Sequence, residues 1–145
     1  MSAKFSILEG TALHTAIFAG RTKIVEELVK IMSEENLKIK DKGNYTVLGY
    51  CVIVGNIQMA KCIIEKSPTL LSIGNTSEDL IPVVLALGLC NETNLVRYLY
   101  SKTALEDLMP GKSINGATFI TFAIYSKAIG KNFRFNYIFV FISAL

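Results

Sequence analysis

The chain repeats itself at a period of about 35 residues, and self-similarity of that length confines a chain to a small set of stacked architectures. Shifting the sequence by 35 positions sets Thr11 on Thr46, Leu13 on Leu48 and Gly20 on Gly55, with Ile24, Val25 and Leu28 falling on Met59, Ala60 and Ile63. A second shift brings Ile81 and Ala86 beneath Thr46 and Cys51. One extra residue intrudes after Cys90, so that Leu95, Val96 and Leu99 take the places of Ile24, Val25 and Leu28. A fourth copy opens at NGATFITFA, residues 115–123, where Thr118 and Ala123 match Thr11 and Ala16. The copies fall at 9–43, 44–78, 79–115 and, in part, 116–130, which makes one domain over 9–130 and leaves a non-repeat apolar tail at 131–145.

Each copy reads as two helices. Thr11 and Thr46 suit N-caps, because a hydroxyl there can accept from a backbone N–H two or three residues on. Leu13, Ala16 and Ile17 then recur at the spacing of one helical face. Gly20 and Gly55 stand where that first helix must stop and the backbone needs positive φ. A longer apolar stripe follows in KIVEELVKIM and QMAKCIIE, and the polar stretches DKGN at 41–44 and NTSED at 75–79 suit tight reversals between copies. A helix pair of this size cannot bury its apolar faces alone, whereas stacking against neighbours can. The expectation is an all-α solenoid of about three and a half stacked helix-turn-helix units.

Composition narrows the function classes. With 145 residues, 51% of them hydrophobic and 19% charged, the chain has the material for one continuous core and none of the character of a disordered segment. Its 15 basic and 12 acidic residues are scattered, with no Arg-rich run to track a phosphate backbone, so nucleic acid is not an expected partner. Cys51, Cys62 and Cys90 are odd in number and lack Cys-x-x-Cys spacing, which gives neither a disulfide framework nor a zinc site and fits an intracellular, reducing setting. MSAKFSILEG has no apolar stretch ending in a small-residue cleavage site, and no run reaches the ~20 apolar residues of a spanning helix. The chain as written is therefore expected to be cytosolic.

The segment Thr11-Ala-Leu-His-x-Ala16, followed by Gly20 and IVEEL, resembles an ankyrin repeat. Copy two keeps Thr46, Leu48 and Gly55 but has Gly49 where the motif has His; copy three has Ile81-Pro82 for Thr-Pro and no glycine at Cys90. Within that class, KIVEELVKIMSEENL, MAKCIIEKSPTLLSI, LIPVVLALG and VRYLYSKTALEDL are similar in cadence to the repeats of plant membrane ankyrin proteins with a C-terminal PGG domain, the accelerated-cell-death-like group, over residues 8–126. That group has further repeats upstream and transmembrane helices downstream, which implies that this chain is a truncated fragment whose full-length relatives are membrane-anchored with their repeats in the cytosol. The resemblance also implies a structural part for His14, with its ring bonding the turn at Thr11 and joining two neighbouring copies.

No constellation of catalytic type emerges. His14 is the only histidine and has no nucleophile partner at any motif spacing. GKS at 111–113 lacks the first glycine of a phosphate-binding loop, since position 106 is Glu106. Three sequons, at Asn44, Asn75 and Asn91, match without a secretory signal. Glu26-Glu27, Glu34-Glu35 and Glu106-Asp107 read as solvated positions, and Cys51 and Cys62 as small core residues. The expectation is a non-enzyme with no cofactor, no metal and no small-molecule substrate.

The resemblance assigns partner binding to the turns and first helices, here Phe18, Ala19, Lys42, Tyr45, Ile53, Val54, Leu80 and Leu89, an apolar and aromatic set with one lysine. Thr11, Leu13, His14, Ala16, Gly20, Thr46, Leu48 and Gly55 are its structural repeat motif. The function implied is non-catalytic protein–protein interaction linked to plant defence or stress signalling at the membrane. The partner is then a protein or another segment of a full-length membrane protein. The alternatives are a non-functional truncated product and a small enzyme with an unrecognised site. The tail, FRFNYIFVFISAL, carries no charge from Tyr137 onward and is expected to promote self-association or to fold as an irregular helix over the last copy.

Overall fold

A computed structural model describes residues 10–90, 92–109 and 114–128. Among these the secondary structure is helical throughout, apart from one isolated antiparallel bridge between Asn75 and Leu80. The α-helices are α1 (Ala12–Phe18), α2 (Thr22–Ile31), α3 (Glu34–Leu37), α4 (Val47–Val54), α5 (Ile57–Lys66), α6 (Pro82–Leu89), α7 (Thr93–Lys102) and α8 (Ile114–Ala128). Two 3-10 turns, Pro68–Ser72 and Leu105–Leu108, complete the set.

The local chemistry of each pair is visible in its ends. Thr46 is extended, with ψ 168, and its hydroxyl accepts from the Gly49 N–H at 3.2 Å, which starts α4. Gly20 and Gly55, at φ 69 and 71, reverse the chain after α1 and α4. An equivalent bond closes each end, Arg21 N–H to the Ala16 carbonyl at 3.0 Å and Asn56 N–H to the Cys51 carbonyl at 3.1 Å. Copy three has no such glycine, and α6 ends instead in extended backbone at Cys90, with φ −93.

Helices pair as α1–α2, α4–α5 and α6–α7. The first helices lie side by side in the order α1, α4, α6, α8, and the second helices in the order α2, α5, α7. Burial follows from that order. Residues 47–52 of α4 and 82–87 of α6 are buried at every position, as expected of short apolar helices with neighbours on both sides. α2, α5 and α7 bury single stripes, Val25 and Val29, then Met59, Ala60, Ile63 and Ile64, then Leu95, Val96 and Leu99.

Two sequence expectations need correction. After each second helix the structure adds a short helical turn, α3, Pro68–Ser72 and Leu105–Leu108, because Leu37, Leu70, Leu71 and Leu108 there are drawn into the core. Thr118 does not open the fourth copy's helix: α8 already begins at Ile114, and Thr118 lies inside it. Gly116 allows this, since a Cβ there would stand 2.6 Å from the Met109 backbone. The tail at 131–145 and the GKS segment lie outside the described residues.

Candidate functional site

The expected surface set divides in the structure. Ala19, Val54 and Leu89 occupy one register position at the ends of α1, α4 and α6, and all three are exposed, Leu89 to 60%. Phe18 and Ile53 stand beside them, exposed to 55% and 45%, with Gly88 at their position in copy three. Because α1, α4 and α6 lie side by side, these five side chains form one apolar row across the helix ends. Phe18 is held edge-on to the Tyr50 ring at 6.5 Å.

The turn residues differ. Lys42 is exposed, and Tyr45 is half-buried with its ring edge-on to Tyr50 at 6.2 Å. Leu80 is only 7% exposed and does not belong to the surface. It closes the turn that begins at Asn75, with backbone bonds of 2.7 and 2.8 Å between the two residues, and that hairpin aims its side chain into the core. Ile124, absent from the expected set, is exposed on α8 at the sequence register of Ile17, Val52 and Leu87, which are buried in helices that each have a following first helix packed against them.

Beneath the turns runs a chain of buried polar groups. His14 is 1% exposed. The Thr11 backbone N–H donates to its Nδ1 at 3.1 Å, and the Thr11 hydroxyl lies 2.9 Å from the same atom. Nδ1 is therefore the bare nitrogen, and Nε2–H donates to the Tyr45 carbonyl of the next copy at 3.1 Å. The Asp41 carboxylate accepts from the Tyr45 N–H at 2.8 Å and from the Tyr50 hydroxyl at 2.7 Å. Burial, with the Asp41 carboxylate close by, holds the Tyr50 phenol above its ordinary pKa.

Further along, the Asn75 carboxamide oxygen accepts from both the N–H and the hydroxyl of Thr46, at 2.8 and 3.0 Å. Asn115 accepts from the Ile81 N–H at 2.9 Å and donates to the Asp79 carbonyl at 3.2 Å. Asn44 donates to the Thr76 carbonyl. Among the described residues no buried side-chain nitrogen or oxygen is left without a partner. These bonds account for two of the sequon asparagines: Asn75 is fully buried and Asn44 is committed to the neighbouring turn.

Sequence reasoning missed Asn75 and Asn115 as capping groups. The available signal was Gly49, since a Cβ there would stand 2.2 Å from the Asn75 oxygen. The acidic pairs lie at the surface in ordinary partnerships, Glu27 with Lys30 at 2.7 Å and Glu35 with Lys38 at 2.9 Å, while Asp107 accepts from Ser72 at 2.6 Å. Cys51 is fully buried and Cys62 partly so. Among the described residues no group of three or more His, Cys, Asp or Glu side chains is placed to hold a metal ion, and no helix is long and apolar enough to cross a membrane. The chain matches no family model, no curated protein and no solved structure.

Proposed function

We propose that the chain is a non-catalytic protein-interaction module built as an ankyrin-repeat stack of about three and a half units. The apolar row formed by Phe18, Ala19, Ile53, Val54 and Leu89 carries this reading. Apolar side chains that recur at the same end of neighbouring helices, and stay in water beside positions that are packed, are the kind of surface that gains binding energy from a partner. The 35-residue register of Thr11, Thr46 and Ile81, and the serial packing of first helix on first helix, support the repeat assignment. By its resemblance to plant PGG-domain ankyrin proteins, the module would serve defence or stress signalling at the cytosolic side of a membrane. Its partner is then a protein or another segment of a full-length chain.

The test is site-specific photo-crosslinking. A benzoylphenylalanine at position 53, in the row, is expected to give one discrete protein adduct in cells, and the same group at position 27, on the exposed side of α2, none. Equal labelling from both positions, or no adduct from 53, would reject the row as the binding surface.

A further inference from the structure

The chain contains one Asn–Gly pair, Asn115–Gly116, and it lies where α8 is tied to the helix pair before it. The Asn115 carboxamide oxygen accepts from the Ile81 N–H at 2.9 Å and its Nδ2 donates to the Asp79 carbonyl at 3.2 Å, so both ends of one amide hold the first turn of α8 against the segment that opens α6. Gly116 cannot be exchanged for a residue whose side chain would hinder attack by its nitrogen, because a Cβ there would stand 2.6 Å from the Met109 backbone. We propose that Asn115–Gly116 is a self-deamidation site that becomes reactive when the first turn of α8 undocks, and that the reaction makes the undocking permanent.

The reaction needs only the chain and water. The Gly116 nitrogen attacks Asn115 Cγ, the new C–N bond closes a succinimide ring, and the side-chain amide leaves as ammonia with the proton given up by the Gly116 N–H. Water then opens the ring at either carbonyl, to aspartate or isoaspartate. In the docked helix the carboxamide is 7% exposed and bonded at both ends, and helical backbone holds the Gly116 nitrogen out of line with Cγ, so closure waits for local opening. Neither product fits the site. At neutral pH a carboxylate can still accept from the Ile81 N–H but has no proton for the Asp79 carbonyl, which sets acceptor against acceptor at a buried position. Isoaspartate also runs the main chain through Cβ and so breaks the first helical turn. Asn75 is the internal contrast: it bonds Thr46 as Asn115 bonds Ile81, but Thr76 follows it, and a side chain on the attacking residue hinders closure.

The test is to incubate the full chain at mildly alkaline pH, folded and in urea, and to map its peptides by mass spectrometry with fragmentation that separates aspartate from isoaspartate. In the folded chain the acid is expected at position 115 and not at Asn75, forming roughly ten- to a hundredfold more slowly than in urea, since the folded rate carries the cost of opening α8. The modified fraction, separated by its added negative charge, should show faster amide exchange in α8 and unchanged exchange in α1 and α2. Asn115→Asp, made directly, should show the same loss of protection in α8 from the start. The proposal is overturned by a folded rate equal to that in urea, by one more than about a hundredfold lower, or by α8 amides that stay protected in the modified fraction. Should Asn115→Asp not fold, the aged native chain decides between the same outcomes, because its molecules are modified after folding.

Discussion

Position 49 isolates how one residue in copy two is dictated by another 26 positions later, in the turn that closes the same copy. Glycine inside a helix ordinarily costs ~0.8–1.0 kcal/mol relative to alanine, so on propensity Gly49→Ala should stabilise α4. The Asn75 oxygen occupies the place a Cβ would need, at 2.2 Å, and it cannot move without orphaning the buried Thr46 N–H. Leaving that donor unsatisfied costs about 1–3 kcal/mol, which exceeds the propensity gain. Gly49→Ala is therefore expected to lower the urea midpoint, and in an Asn75→Ala background the same substitution is expected to raise it. The four-protein cycle measures this reversal directly, and equal effects in both backgrounds would remove Asn75 as the cause. Sequence comparison noticed that Gly49 departs from its equivalent His14 but not why. The bond from Asn75 spans 29 residues and that from Asn115 spans 34, and neither spacing is the repeat period that self-comparison detects.

The helix pairs were legible because their ends repeat. Gly20 and Gly55 both adopt the left-handed conformation that their places imply, and α2 and α5 follow at once. An added Cβ at Gly20 meets nothing within 4 Å, so Gly20→Ala tests backbone strain alone and should cost ~1–2 kcal/mol by thermal or urea unfolding. At Gly55 the same change also presses on the Glu92 side chain at 3.1 Å and should cost at least as much. Leu13, fully buried in α1, is expected to lose ~2–5 kcal/mol on replacement by alanine, and an unchanged melting temperature would place it outside the core. The elements that escaped sequence reading are the short ones. α3 and the two 3-10 turns hold too few residues to show a period, and their leucines look the same in a loop as in a helical turn. Leu80 was misread for a related reason: turn residues suggest a surface, but a two-ended backbone bridge to Asn75 can turn a side chain inward.

Across the molecule, the exposed row and the buried polar chain make opposite demands. Phe18→Ser and Leu89→Ser, at positions more than half exposed, should change stability by no more than ~0.5 kcal/mol while removing the crosslink expected at position 53; large destabilisation would show that the row is part of the core. The polar chain instead sets a direction. The N–H groups of Thr46 and Ile81, the residues that introduce α4 and α6, are satisfied by asparagines that come later in the sequence. A ribosome delivers the chain from its N-terminus, so α4 emerges before Asn75 exists and α6 before Asn115. Each must wait about 30 residues of synthesis, some seconds at ordinary rates, before its first turn is complete. Chains arrested during translation just short of Asn75 should therefore be more open to protease in α4 than chains arrested just beyond it, a vulnerability that exists only while the protein is being made.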